Sequence, residues 1–163
     1  MQRRRALETR PRAEVVRDTA AFAAHCRASG LSVTHQRLAI FEALAGSRAH
    51  PSAEELHQMV SKRIPTLSLA TVYKNLEALR QIGAVSDVNA LREQGRFEAV
   101  LPGTFAGKAH HHLVCVSCGR VSDLAEDSLP ELRLAAHAAQ GFVVRAVRVQ
   151  VEGVCPDCKK GRT

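Results

Sequence analysis

The chain has 163 residues, 45% of them hydrophobic and 24% charged, a composition that excludes wholesale disorder and suits one to two small domains. No apolar run approaches the ~20 residues of a membrane helix, and no hydrophobic segment follows the Arg-rich start, so the expectation is a cytoplasmic protein with no membrane partner. The 23 Lys and Arg outnumber the 16 Asp and Glu, and residues 1–90 alone hold 13 basic and 8 acidic side chains, a balance that suits a polyanion and equally suits a solubilising surface.

Residues 1–14 read as a basic arm or the start of a helix. Val15, Val16, Ala20, Phe22, Ala23 and Cys26 suit a helix over 15–29, stopped by Gly30. Thr34 caps a second helix reaching Leu44 or Ala45, with Leu38, Phe41 and Ala45 on its apolar face. Ser52 caps a third, and Glu55 three residues on completes a capping box. Ser68 caps a fourth, from Leu69 to about Ile82, which ends at Gly83; Ala84–Val88 and Phe97–Val100 then read as short strands. Short helices followed by a hairpin describe a winged helix-turn-helix. Along the fourth helix Leu69, Val72, Leu76 and Leu79 share one inward face. Ser68, Thr71, Lys74 and Asn75 lie away from it and Tyr73 flanks it. These are groups that contact phosphates and base edges, although an ordinary solvated helix face carries them too.

The predicted fold class is α+β: a DNA-binding winged-helix domain over 1–88, a polar hinge over 89–96, and an α/β dimerisation domain over 97–163. In the second domain 110–116 reads as a strand and Pro130–Gln140 as a helix. Val143–Val151 is β-branched, with Val143, Val147, Val149 and Val151 on one face.

Four of the five cysteines form two C-x-x-C pairs, Cys115/Cys118 and Cys155/Cys158. Two such knuckles supply the tetrahedral sulfur set that Zn2+ prefers, so one structural zinc per subunit is expected, held by all four. Cys26 reads as a small buried residue. Before the first knuckle stand His110, His111 and His112. In a strand His110 and His112 point to the same side and can grip one metal ion, and Glu98 and Asp123 can add oxygens. A mixed nitrogen and oxygen set suits Fe2+, Mn2+ or Zn2+. His137, on a helix among alanines, reads as structural. A zinc-dependent hydrolase built on His110, His112 and Glu98 is the alternative from another class; no nucleophile or substrate motif supports it, and the chain is read as a non-enzyme.

Thr34-x-Gln36-Arg37, His50-Pro51-Ser52-Ala53-Glu54, Ser68-x-Ala70-Thr71-Val72-Tyr73-Lys74-Asn75-Leu76, Arg96-Phe97-Glu98, His110-His111-His112-Leu113-Val114-Cys115 and the two C-x-x-C pairs occur in one order. In that order and over nearly the whole chain, the sequence resembles the ferric uptake regulator (Fur) family. The resemblance implies a homodimeric, metal-dependent repressor that binds a palindromic double-stranded operator. The helix containing Tyr73 would enter the major groove. Ser68, Thr71, Tyr73, Lys74, Asn75 and Arg37 are the implied DNA contacts. The implied regulatory site is His50, Glu98, His110, His112 and Asp123, holding Fe2+ or Mn2+. Peroxide-sensing (PerR-like) members oxidise a ligating histidine at this site, which here would be His50 or His110; metal and peroxide would then be the only small molecules recognised. The histidine triplet and the lack of a histidine in Val143–Val151 resemble that group. Glu98 departs from it, because peroxide sensors typically carry Asp there, and resembles iron-responsive members instead. A zinc-uptake regulator ranks third, since its sensory site adds a cysteine ligand and, with Cys26 read as buried, none of the five looks free for it.

Overall fold

The structure is a computed structural model and describes residues 9–88, 95–100, 111–124, 128–129, 140–143 and 149–161. The chain divides into two units, 1–108 and 109–163.

Among the described residues, four helices build the first unit: α1 (Arg12–Ala28), α2 (His35–Gly46), α3 (Ala53–Val60) and α4 (Leu69–Gln81). Their starts follow local chemistry. Thr34 accepts from the Arg37 N–H and Ser68 from the Thr71 N–H, each satisfying a donor with no partner inside its helix. Ser52 and Glu55 close a complete capping box on α3. Two ends follow equally local rules. Beyond α1, Gly30 at φ +71 lets Leu31 N–H reach the Cys26 carbonyl at 2.9 Å; beyond α4, Gly83 at φ +71 lets Ala84 N–H reach Leu79 at 2.9 Å. Both are Schellman stops, which need a left-handed residue.

The helices pack around an aliphatic core. Ile40, Phe41, Leu44, Leu56, Val72, Leu76 and Leu79 are buried in it, and the Phe22 and Phe41 rings stack with centroids 4.0 Å apart. Cys26 is fully buried there, and burial pushes its thiol pKa up. Before α1, Arg10 donates to the buried Asp18 carboxylate at 3.0 Å and to the Ala45 carbonyl at 3.1 Å. The chain entering α1 is therefore tied to the end of α2.

Strands β1 (Val85–Asp87) and β2 (Phe97–Ala99) pair antiparallel, Val85 opposite Ala99 and Asp87 opposite Phe97. This is the wing of a winged helix-turn-helix. Because β2 pairs with β1, Phe97–Ala99 lies in the first unit, and the division falls after Lys108, beyond the second-domain start at 97 read from the sequence.

In the second unit β3 (His111–Cys115) lies between β4 (Val121–Leu124), antiparallel to it, and β5 (Gln150–Gly153), parallel to it. Helix α5 (Pro156–Lys160) follows β5. The predicted helix Pro130–Gln140, with His137, lies outside the described residues apart from Gln140 at its end. Most of the predicted strand Val143–Val151, the hinge residues 89–94, His110 and the arm 1–8 also lie outside them.

Candidate metal and nucleic-acid sites

Parallel pairing of β3 with β5 aligns Cys115 with Gly153, two residues before Cys155. Both knuckles therefore leave the same end of the sheet. The four Sγ atoms lie within 4.8 Å of one another, and Cys118 Sγ is 3.8 Å from Cys155 Sγ. A tetrahedron with Zn–S bonds of about 2.3 Å has edges of about 3.8 Å, so the spacing fits. Burial pushes the Cys115 thiol up, but the N–H groups of Cys155, Cys118 and Ser117 outweigh it and hold its pKa at about 6. Cys158, sharing hydrogen bonds with Cys118 and Cys155, is pushed up to about 12. Ligation requires thiolates, so a bound cation would release protons from the cluster.

A second candidate set begins in the first unit. His50 and Glu98 are both buried, with His50 Nδ1 4.0 Å from Glu98 Oε2. His50 has φ +45, in the left-handed region that costs a non-glycine residue about 1 kcal/mol or more. The surroundings enforce it. Arg96 Nη1 donates to the His50 carbonyl at 3.1 Å and to Glu55 Oε2 at 2.7 Å. Phe97 N–H donates to the Pro51 carbonyl at 3.1 Å. The segment Arg96–Glu98 therefore grips the chain just before α3 through its first two residues and presents its third beside the imidazole. The Arg96 contact and the positive φ of His50 are structural features that sequence reading did not find. The adjacency of Arg96 to Glu98 was the available signal.

In the second unit His111 and His112 are both buried on the central strand. His111 is used structurally: its Nδ1 accepts from the Val149 N–H at 3.2 Å. His112 pairs across the strands with Asp123, which is exposed. His110, the remaining expected ligand, lies outside the described residues.

On α4, Tyr73 is 48% exposed and Lys74 is exposed, as a reading face requires. Ser68 and Thr71 share a hydroxyl hydrogen bond at the helix start. Asn75 corrects the sequence reading: it is buried, and its Nδ2 donates to the Thr71 carbonyl one turn back at 2.8 Å. The amide serves the helix and does not lie on the outer face. Arg37 is half-buried, with Nη1 on the Ser32 carbonyl at 2.7 Å.

Residues 28–152 match the sequence pattern of the ferric uptake regulator family. The chain belongs to that family. The peroxide operon regulator of Bacillus subtilis is 36% identical over 133 residues, covering 81% of this chain and 87% of its own. The peroxide-responsive repressor PerR of Staphylococcus epidermidis is 34% identical over 137 residues, covering 84% and 87%. Among solved structures, the Vibrio cholerae ferric uptake regulator superposes with a TM-score of 0.61 at 26% identity, covering 82% of this chain and 99% of that one. The ferric uptake regulator match includes Cys115 and Cys118 but stops before Cys155 and Cys158. The second knuckle therefore rests on this chain's own geometry. No helix among the described residues is long and apolar enough to cross a membrane.

Proposed function

We propose that this chain is a homodimeric, metal-dependent repressor of the ferric uptake regulator family that senses peroxide. The observation that carries the reading is identity of 34–36% to two peroxide regulators over more than four-fifths of the chain.

In this reading the first unit supplies DNA contact through α4 and the second supplies dimerisation. The four cysteines hold one Zn2+ per subunit as a structural ion, an assignment supported by their sulfur spacing. The regulatory ion, Fe2+ or Mn2+, is held by His50, Glu98, His110, His112 and Asp123. Buried nitrogen and carboxylate donors such as His50 and Glu98 fit either ion. Bound Fe2+ would supply the redox chemistry by which peroxide oxidises a neighbouring imidazole. His50 is oriented for that ligand role by the Arg96 brace. Since His50 belongs to one unit and His112 to the other, ligation by both would restrict the angle between units. It would select the dimer whose two α4 helices match a palindromic operator. Operator and metal would then tighten each other's binding reciprocally.

The test is peptide mass spectrometry on protein loaded anaerobically with Fe2+ and given one brief dose of peroxide, with Mn2+-loaded protein as control. One added oxygen on His50 or His110 in the iron sample alone is the expected result. Unmodified histidines with DNA binding intact would replace this reading by an iron-responsive repressor, the second reading, which Glu98 favours.

A further inference from the structure

We propose that Glu54 is a positioning residue for sequence reading: its carboxylate fixes the Tyr73 ring on the exposed face of α4 and ties it to the start of α3. The inference rests on the proposed role of α4 in contacting DNA.

Tyr73 Oη donates to Glu54 Oε1 at 2.8 Å, and Ser52 Oγ donates to the other carboxylate oxygen, Oε2, at 2.8 Å. Glu54 is thereby held at both oxygens. Ser52 is itself fixed, because its N–H donates to Glu55 Oε2 at 2.9 Å, the atom that also receives Arg96. The tyrosine is thus the outer end of a hydrogen-bonded series that starts at the His50 carbonyl. An exposed aromatic ring on a helix otherwise samples several rotamers, and holding it beforehand removes an ordering cost from binding.

The bond also decides what Tyr73 can offer. A phenol has one proton to donate, and here Glu54 takes it. The ring face and an accepting oxygen remain, so the side chain cannot donate to a phosphate without breaking away from Glu54. The carboxylate acts against general affinity as well, since a negative charge beside a phosphate backbone repels it. Glu54 therefore lowers binding to any duplex while holding one ring in one pose, which is how discrimination is gained by a repulsive element.

The chain has one Tyr and no Trp, so tyrosine absorbance and emission report on Tyr73 alone. The Glu54 hydrogen bond raises the Tyr73 pKa above its ordinary value. The experiment uses full-length zinc- and Mn2+-loaded protein, wild type, Glu54→Ala, Glu54→Gln, Tyr73→Phe and the Glu54→Ala/Tyr73→Phe double variant. Each is equilibrated with a random-sequence duplex pool, and the bound fraction is sequenced. Alkaline titration of the tyrosine, where present, accompanies it. Glu54→Ala should bring tyrosine ionisation down and tighten binding to the unselected pool. It should reduce preference for the selected sequence roughly fivefold, the worth of about one hydrogen bond. Glu54→Gln, which keeps an acceptor, should tighten pool binding yet retain most of the preference. In the Tyr73→Phe background Glu54→Ala should lower preference no further. Unchanged base preference in Glu54→Ala overturns the proposal, as does an equal loss in the Tyr73→Phe background. If Glu54→Ala does not fold, loss of preference in Glu54→Gln with unaltered tyrosine ionisation overturns it too. A wild-type protein that selects no sequence overturns the DNA-reading role of α4 itself, a failure separable from the others.

Discussion

Replacing Arg96 with alanine should weaken the proposed regulatory metal site without touching a proposed ligand. Arg96 Nη1 makes two contacts, 3.1 Å to the His50 carbonyl and 2.7 Å to Glu55. The first is a hydrogen bond from a charged donor, worth about 1.5–3 kcal/mol. The second involves a carboxylate 49% exposed, and solvent screening reduces it to about 0.5 kcal/mol. Against these stands the left-handed strain at His50, of which about 1 kcal/mol is recovered when the residue relaxes. The net loss of stability is therefore about 1–2.5 kcal/mol, small enough for the domain to remain folded. The larger effect falls on ligation. With the brace gone, the His50 backbone loses its hold beside Glu98; because Arg96 grips the carbonyl and not the imidazole, the expected loss lies at the lower end of what outer partners contribute, about 10-fold in metal affinity. Competition of the variant against a chelating dye for Mn2+ measures this, with zinc content as the internal control. A folded Arg96→Ala protein that binds Mn2+ within twofold of wild type would refute the argument that the brace sets the site.

Three further outcomes are expected. Cys115→Ser should release zinc and abolish the dimer, because the residue is a buried corner of the cluster at the end of the central strand; light scattering that still reports a stable dimer would contradict this. Tyr73→Ala should weaken operator binding by about 1–3 kcal/mol while leaving Mn2+ affinity as it was, measured by gel shift and metal competition; unaltered operator affinity would count against α4 as the reader. The third concerns pH: hydrogen bonds from Tyr73, from its own backbone N–H and from Ser52 lower the Glu54 pKa. A depressed carboxylate contributes stability that is complete above its unfolded pKa and is lost as pH falls through the folded one. Tyrosine emission should therefore stay constant down through the ordinary glutamate range and change only below it. A change centred on the ordinary glutamate value would show that the contact does not form in solution.

The parts of the fold legible in the sequence were those decided within a few residues. Ser52 and Glu55 announce their capping box because both partners sit in one turn, and Gly30 announces a helix end because its left-handed backbone is nearly its own property. The cysteine cluster was legible because a knuckle is local and only the meeting of two knuckles is not. What stayed hidden depends on distant contacts. Nothing around His50 indicates a positive φ, and its carbonyl is held by an arginine 46 residues further on. Asn75 was placed on the outer face by helical spacing, but an amide can turn back to its own helix, and that is where it went. His111 is buried as well as His112, because its ring accepts the Val149 N–H, a contact from a residue 38 positions further on.

The parallel alignment of β3 and β5 has a consequence for how the protein is made. Parallel neighbours cannot be joined by a tight turn, so the chain must travel from Cys118 to Cys155 before the two strands can meet. Closing a circuit of that length without a cross-link costs about 4 kcal/mol of chain entropy, and β5 is only four residues long. A cation gripping both knuckles would offset that cost with its ligation free energy. With the proposed Zn2+ as that cation, nascent chains in a zinc-starved cell would stall with β5 undocked and exposed to proteases. The supply of finished regulator would then follow one metal, whatever second metal the finished regulator goes on to read.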